Sequence, residues 1–96
     1  MSYVVIATWR AKPGQAGRIK EILATVAPIN RAEEKMLAFH AHVSVDDPDT
    51  FVLYERYTDA SGYAEHRETE AFRTHVLGEA LPNLAERSVK AYELLD

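Results

Sequence analysis

The chain has 96 residues, a formal net charge of −4 and no cysteine. Its length fits one domain spanning residues 1–96, and a hydrophobic content of 47% argues against disorder. The acidic balance argues against a nucleic-acid partner, and the lack of cysteine excludes disulfides and thiolate catalysis. Since neither a signal-peptide pattern nor a long apolar run is present, we expect a cytoplasmic protein without a membrane partner.

The first third of the chain predicts a strand followed by a helix. Residues 3–10 are rich in β-branched and aromatic types, which favours a strand. Apolar residues then recur at spacings of three and four, the pattern of an amphipathic helix: Ile19, Ile22, Leu23, Val26. Asn30 and Glu33 fall on the same helix face, so this face becomes polar as the helix ends. Pro28 lies on the outer side and is expected to kink or end the helix.

The middle of the chain predicts a β-hairpin. Residues 36–45 form the second strand, and residues 51–57 form the third after an Asp- and Pro-rich turn. In the second strand, one face carries the apolar side chains: Leu37, Phe39, Ala41, Val43, Val45. His40 and His42 lie on the other face.

The last third predicts a helix and a closing strand. Asp59 or Ser61 caps a second helix that is expected to extend to about Leu81, before Pro82. Residues 88–95 form the last strand. The order β-α-β-β-α-β predicts an α+β, ferredoxin-like fold, with a four-stranded antiparallel sheet and both helices on one face. The first strand is apolar on both faces, so we expect a homodimer through the uncovered face.

Glu55 is the most unusual residue of the third strand. It lies between Leu53 and Tyr57, on the face that we assign to the helices. A carboxylate there must be hydrogen-bonded, paired or shifted in pKa. It could simply bridge buried groups or sit near water at an edge. Alternatively, it is a pocket carboxylate that holds or deprotonates a ligand.

Two histidines on the second helix offer imidazole chemistry. His66 and His75 are nine residues apart, which is about 900° on a continuous helix, so they point to opposite sides. They flank the apolar stripe of this helix, which contains Phe72 and Val76. Histidines in such a position are often solvated or hydrogen-bonded without a role in chemistry. His66 is the better acid/base candidate, because the first helical turn lies near Glu55 and Tyr57.

Other kinds of site have weaker support. His40 and His42 share a strand face, but no third metal ligand is evident, so we predict no metal site. These two histidines are expected at a subunit contact. The chain has no glycine-rich phosphate loop and no Gly-x-Ser-x-Gly elbow, which argues against a nucleotide cofactor and a serine hydrolase.

Three stretches of the chain, VVIATWRAKPGQ, FVLYERYTD and AEHRETEAF, together resemble the antibiotic biosynthesis monooxygenase (ABM) domain family. The resemblance covers nearly the whole chain. Its most specific part is Tyr54-Glu55 followed by His66-x-x-Thr69 and Phe72. It implies a dimeric ferredoxin-like protein whose sheets pack face to face, with a ligand cavity between the helices and the sheet.

The resemblance implies three possible functions. The first is a cofactor-independent monooxygenase that oxidises a quinol or polycyclic phenol with O2. The second is an isomerase that shuttles protons on a small polar or phosphorylated, sugar-like substrate. The third is a non-catalytic ligand-binding dimer. Haem degradation is disfavoured, because haem-degrading relatives use a first-strand Asn and a second-helix Trp, whereas this chain offers Ala7 and Thr8 and no helical Trp.

For the monooxygenase, the resemblance implies a pocket base that deprotonates the substrate before an electron passes to O2. We predict His66 as the acid/base. Tyr57 and Asn30 would hold substrate oxygens, and Glu55 would orient His66 or a water. The predicted substrate-binding residues are Asn30, Phe72 and Trp9.

Two features of the cavity would separate these functions. A phosphorylated substrate needs at least two basic residues on the cavity, and the candidates are Arg10, Arg31, Arg56 and Arg67. A cavity filled by side chains would instead favour the non-catalytic function. The chain also departs from the family at residues 33–35, where Glu-Glu-Lys replaces a frequent Glu-Pro-Gly, so the start of the second strand is expected to differ in shape.

Overall fold

The computed structural model describes residues 2–96. Its strands are β1 (Tyr3–Ala11), β2 (Met36–Val43), β3 (Thr50–Tyr57) and β4 (Leu84–Glu93). Its α-helices are α1 (Ala16–Arg31) and α2 (Ala60–Arg67). A π-helix (Phe72–Ala80) and a short 3-10 helix (Leu81–Asn83) connect α2 to β4. None of these helices has the length and apolarity needed to cross a bilayer.

The four strands form one antiparallel sheet in the order β2-β3-β1-β4. The predicted ferredoxin-like α+β fold is therefore confirmed. The register aligns Val5 of β1 with Glu55 of β3, and Trp9 of β1 with Arg87 of β4. Since side chains alternate along a strand, these residues share the face that the helices cover.

The hydrophobic core lies between the helices and this covered face of the sheet. Its most deeply buried large side chains are Tyr57, Phe39, Phe51, Ile19, Ile22 and Val5. On the opposite, outer face, Ile6, Val52 and Tyr54 are only half-buried, and no further layer within residues 2–96 covers them. Val4, on the same face, is 4% exposed.

The first helix continues through its proline. Helix α1 runs to Arg31 with Pro28 inside it, so the helix does not end at Pro28. Pro28 is exposed, and the buried residues of α1 lie on the opposite side. The hydrogen bond that Pro28 cannot donate is therefore lost on the solvent side of the helix, not in the core. As a result, Asn30 stays helical and lies in the core, 4% exposed.

The second helix is broken, so the prediction of one helix extending to about Leu81 was wrong. Helix α2 ends at Arg67. The hydroxyl of Thr69 donates to the carbonyl of His66 at 2.8 Å and accepts from the backbone N–H of Phe72 at 3.1 Å. One threonine thus satisfies a carbonyl of the ending helix and an N–H of the next one, which allows the chain to change direction.

The start of β2 contains an irregular register between Met36 and Ala38. Met36 turns into the core and is 7% exposed, whereas Leu37 is 49% exposed. The prediction that Leu37 faces the core was wrong, because a bulge reverses the alternation that it assumed. Val45 lies beyond the end of β2 and is 98% exposed.

Candidate active site

A small enclosed cavity lies between the helices and the covered face of the sheet. Five of the six residues predicted for the site line it: Trp9, Asn30, Glu55, His66 and Phe72. Most of the other lining side chains are aliphatic. The cavity has a volume of about 20 Å³, which is room for about one water molecule. The predicted residues therefore converge, but around a space that side chains have almost filled.

His66 is the central polar group of this cavity. It lies in the last turn of α2 and is 3% exposed. Its Nδ1 is 2.8 Å from Oε2 of Glu33, and its Nε2 is 3.9 Å from Oε1 of Glu55. A carboxylate at Glu33 can only accept, so Nδ1 carries the proton of that bond. The lone pair of Nε2 is then on the Glu55 side of the ring.

A tight turn after α1 holds Glu33 in position. Its backbone N–H donates to the carbonyl of Asn30 at 3.1 Å, and its carbonyl accepts from Met36 at 3.1 Å. The Glu33 side chain is 17% exposed, so water reaches it more easily than it reaches His66. The residue that contacts Nδ1 of His66 is thus Glu33, not Glu55, which we had expected to orient the imidazole or a water.

Glu55 and Tyr57 form a buried pair on β3. The Tyr57 hydroxyl donates to Oε1 of Glu55 at 2.5 Å. Burial raises the pKa of Glu55, and the Tyr57 bond and His66 only partly oppose it. Burial and the neighbouring Glu55 raise the pKa of Tyr57 well above its usual range. Tyr57 therefore remains a hydrogen-bond donor, and it reaches the cavity only through Glu55.

Aromatic rings enclose His66. The Phe72 ring meets the imidazole edge-on at a centroid distance of 5.2 Å, and Tyr57 and Tyr63 lie at 6.0 and 6.3 Å. Phe72 reaches this position because the helix restarts after Thr69. Gly62 allows α2 to approach β3 closely, because a Cβ there would lie 2.9 Å from Cδ1 of Tyr57.

Trp9 contributes an unused donor to the cavity wall. It is 2% exposed, and its indole Nε1 is buried without a hydrogen-bond partner among residues 2–96. Buried donors are nearly always paired, so each exception needs a reason. This N–H is thus an unpaired buried donor on a residue that lines the cavity.

An open groove adjoins the cavity. It has a volume of about 500 Å³ and shares five lining residues with the cavity: Val5, Tyr63, Phe72, Arg87 and Val89. These shared side chains separate the closed interior from the surface. A volume of this size falls in the range of small-molecule sites, which the cavity alone does not reach.

Of the four arginines considered for a phosphorylated substrate, only Arg67 lines the groove, and none lines the cavity. Arg31 donates two hydrogen bonds to the carbonyl of Phe39, and Arg56 donates to Ser2. Arg10 pairs with Glu86 on the exposed surface. Arg87, which the sequence reasoning did not consider, lines both the cavity and the groove.

The remaining histidines lie away from the cavity. His75 is bonded through Nδ1 to Glu79, one helical turn along. His40 and His42 are exposed on the outer face, and Nδ1 of His42 is 3.0 Å from the carbonyl oxygen of Val52. Within residues 2–96, no group of three or more His, Asp or Glu side chains is arranged to hold a metal ion.

Sequence reasoning missed Glu33, Tyr63 and Arg87 as residues of this region. A signal existed for Glu33, because it falls on the inward face of the first helix together with Asn30. No local pattern indicated Arg87, which reaches the site through the pairing of β4 with β1. Tyr63 lies one turn before His66 on α2, so helical spacing would have placed it beside the histidine.

The model of one protein family, described as antibiotic biosynthesis monooxygenase, matches residues 2–76. This range includes every predicted site residue but excludes β4 and Arg87. A search of curated proteins found no match.

Solved structures resemble the whole fold. The "Putative antibiotic biosynthesis monooxygenase" from Nitrosomonas europaea is 29% identical, with a TM-score of 0.93, over 98% of this chain and 90% of that one. PA3566 from Pseudomonas aeruginosa is 25% identical, with a TM-score of 0.91, over 99% and 95%. Rv0793 from Mycobacterium tuberculosis is 23% identical, with a TM-score of 0.90, over 100% and 97%, a likeness that concerns the fold alone.

Proposed function

Since the chain belongs to the antibiotic biosynthesis monooxygenase family, we propose that it oxidises a quinol or polycyclic phenol with O2, without a cofactor. The observation that carries the proposal is the buried pair of His66 and Glu33, with 2.8 Å between Nδ1 and Oε2, on the wall of an apolar cavity. A carboxylate that fixes one imidazole nitrogen leaves the other available as a base.

The proposed reaction begins with proton transfer. With an anthrone as substrate, His66 Nε2 accepts a proton, and the resulting anion passes one electron to O2. The substrate radical and superoxide combine to form a C–O bond, and the protonated imidazole returns its proton to the terminal oxygen. Loss of the remaining proton on that carbon and cleavage of the O–O bond then give a carbonyl and water. One O2 is consumed, and one of its atoms appears in each product.

Polar groups around the cavity are suited to the developing oxyanion. The indole Nε1 of Trp9 has no partner within residues 2–96, and Asn30 lies on the same cavity wall. Because burial raises its pKa, Glu55 favours its neutral form more than an ordinary carboxyl does, and in that form it can donate. Donors held in an enclosed apolar site stabilise a developing anion more than they would in water.

Substrate binding requires the cavity to enlarge. An aromatic ring needs a space on the order of 150 Å³, whereas the closed cavity has about 20 Å³. Tyr63 and Phe72 line both the cavity and the groove, so movement of these two rings would join the two spaces. The break between α2 and the π-helix lies between them in the chain and provides a hinge for this movement.

The direct test is O2 uptake with a panel of quinols and anthrones. Wild type should consume O2 and form the carbonyl product with one atom from ¹⁸O2. His66→Ala should lower turnover by roughly 10²–10⁴-fold, the usual contribution of a general acid/base. His75→Ala is the matched control and should behave as wild type. Equal turnover in the His66 and His75 variants would remove His66 as the base, and no turnover of any panel member would overturn the proposal.

An isomerase is the second candidate, supported by the approach of Glu55 to His66. An isomerase must remove a proton from one substrate atom and return it to another, which is easiest with two proton carriers on one cavity. Here Oε1 of Glu55 lies 3.9 Å from Nε2 of His66. In ²H2O, such an enzyme would exchange a carbon-bound hydrogen of a phosphorylated ketose without consuming O2.

A non-catalytic ligand-binding protein is the third candidate, supported by the small volume of the cavity. This candidate function predicts that quinols and anthrones bind without being oxidised. In that case, NMR shifts around Phe72 and Tyr63 would move on titration while the ligand stayed chemically unchanged.

We also propose that the protein forms a homodimer through its outer sheet face. The half-buried side chains Ile6, Val52 and Tyr54 occupy adjacent strands of that face, joined by Tyr92 of β4, which is 47% exposed. A contiguous apolar face on a small domain is typical of an interface. Light scattering at micromolar concentration should give twice the monomer mass, and a monomer there would contradict the proposal.

A further inference from the structure

Two arginines in the groove stand out in an acidic protein. Arg67 lies with its guanidinium carbon 4.7 Å from the centroid of the Tyr63 ring, and Arg87 lines the groove from β4. Within residues 2–96, the arginine ion pairs are Arg10–Glu86 and Arg18–Glu79, so neither groove arginine is paired. The chain has a formal net charge of −4. Two cations without ion-pair partners on one concave surface therefore create a local positive potential, which the nearby Glu55 carboxyl partly offsets at Arg87.

The two charges act on the same part of the groove. Burial raises the pKa of the Tyr63 phenol, and the positive charges of Arg67 and Arg87 both oppose that rise. Tyr63 stands between the groove and the cavity. Both guanidinium groups are thus close to the point where the groove meets the cavity.

The remainder of the groove is apolar. Leu77 is 43% exposed and Val89 is 38% exposed, and Phe72 forms the wall shared with the cavity. Aliphatic side chains with this exposure lose contact with water when an apolar ligand covers them. The groove thus combines an apolar floor with two cationic side chains.

We propose that this groove binds the anionic group of a small molecule with an apolar body, and that Arg67 and Arg87 contact that group. The anion is a carboxylate or a phosphate, since arginine recognises the oxygens of both. The apolar body lies along Leu77 and Val89 and points towards the cavity. The inference rests on the proposed function in one respect, because it assigns to the substrate of the same site an acidic substituent outside the reacting ring.

The test is equilibrium binding of three matched probes by isothermal titration calorimetry: 2-naphthoate, 2-naphthyl phosphate and neutral 2-naphthamide. At least one anion should bind on the order of tenfold more tightly than the amide, and the tighter anion identifies the natural group. Arg67→Gln and Arg87→Gln should each weaken anion binding by about tenfold, as expected for loss of a charge-assisted hydrogen bond. Binding of the amide should change little.

Arg73→Gln is the matched control, because Arg73 is exposed on the π-helix and does not line the groove. Equal effects of the Arg73, Arg67 and Arg87 variants would overturn the inference, as would equal binding of amide and anions. If a groove variant fails to fold, wild type still provides a test. Its affinity for the anions should fall as salt rises from about 50 to about 300 mM, while its affinity for the amide stays constant.

This experiment separates the inference from the proposed monooxygenase activity. None of the probes has to react, so anion binding is measurable in His66→Ala and in a protein without O2 uptake. Conversely, a protein that oxidises anthrones and does not distinguish naphthoate from naphthamide retains the proposed function and loses the anion site.

Discussion

The two faces of the sheet carry the same kinds of side chain in different environments. On the covered face, His66 packs against β3, is 3% exposed and contacts two carboxylates. On the outer face, His40 and His42 are exposed, and His42 bonds only to a backbone carbonyl oxygen. The difference shows that residue type alone does not mark a reactive site. Burial together with a specific partner distinguishes His66 from the outer histidines, because both fix the position of its ring.

The tyrosines repeat this contrast. Tyr57 is fully buried, and its hydroxyl is committed to Glu55, whereas Tyr54 is half-buried on the outer face. The covered face is thus the one to which we assign the proposed chemistry, and the outer face is the one to which we assign the proposed dimer contact. Four experiments test this difference between the two faces.

The largest expected effect is the loss of a core ring on the covered face. Phe39→Ala should lower the free energy of unfolding by about 3–5 kcal/mol, because Phe39 is 2% exposed and a cavity would remain. Urea unfolding at several protein concentrations measures this. Tyr54→Ala is the comparison on the outer face. If that face forms a dimer, the unfolding free energy lost in Tyr54→Ala should vary with protein concentration. A loss that is constant and as large as that of Phe39→Ala would show that the two faces do not differ in this respect.

The sequence was sufficient to predict which face of β3 turns inward. Strict alternation from Phe51 to Tyr57 placed Glu55 and Tyr57 together, and the structure confirms that placement. His66 and His75 also lie apart, although the 900° argument assumed a continuous helix and the helix is broken between them. Local patterns of this kind depend only on neighbours in the chain, which a sequence displays directly.

Features that depend on distant contacts were not predictable. The bond between Glu33 and His66 joins residues 33 positions apart. No glycine or proline occurs between Arg67 and Phe72, so the helix break at Thr69 had no standard signal. The bulge that exposes Leu37 likewise depends on pairing with β3. For the Glu33–His66 bond and the bulge at Leu37, contacts between residues distant in the chain outweighed the local pattern, whereas the break at Thr69 depends on local hydrogen bonds of its hydroxyl.

The second experiment tests Glu33 as a positioning residue. Glu33→Gln should lower kcat/KM for the best quinol or anthrone by roughly 10- to 100-fold, since a charge-assisted hydrogen bond contributes about 1.5–3 kcal/mol. Glu33→Asp should restore part of the activity.

Glu34→Gln is the control for the Glu33 variant, since Glu34 is the exposed neighbour in the same turn. A Glu33→Gln enzyme with normal kcat/KM would show that the 2.8 Å bond is structural only. It would also weaken the contrast between His66 and the outer histidines, which depends on that partner.

The third experiment measures how tightly α2 is packed on the covered face. Gly62→Ala should destabilise the protein by about 1–3 kcal/mol, because its Cβ would lie 2.9 Å from Cδ1 of Tyr57 and 3.0 Å from Cβ of Lys35. Gly17→Ala is the matched control near the start of α1, where nothing lies within 4 Å of the added Cβ. It should be neutral or stabilise the helix by a few tenths of a kcal/mol. Thermal melting compares the two, and equal shifts would mean that α2 can move away from β3 at little cost.

The smallest expected effect is the pH dependence contributed by Glu55. Burial raises the pKa of Glu55 above its ordinary value of 4.5, so the folded protein keeps this proton to a higher pH than the unfolded chain does. Stability therefore falls as the pH rises from about 4.5 towards the folded pKa, because the folded state binds more protons there.

Glu55→Gln removes this pH-dependent contribution of Glu55 and can still accept the hydrogen bond from Tyr57. The unfolding free energy of wild type relative to the variant should thus decrease over that interval and level off on either side. Asp47, Asp59 and Glu79, whose pKa values are lowered, act in the opposite direction, but they are common to both proteins and cancel. A difference that is independent of pH would mean that His66 and Tyr57 fully offset the burial of Glu55, and the covered face would then hold an ordinary carboxylate rather than a poised one.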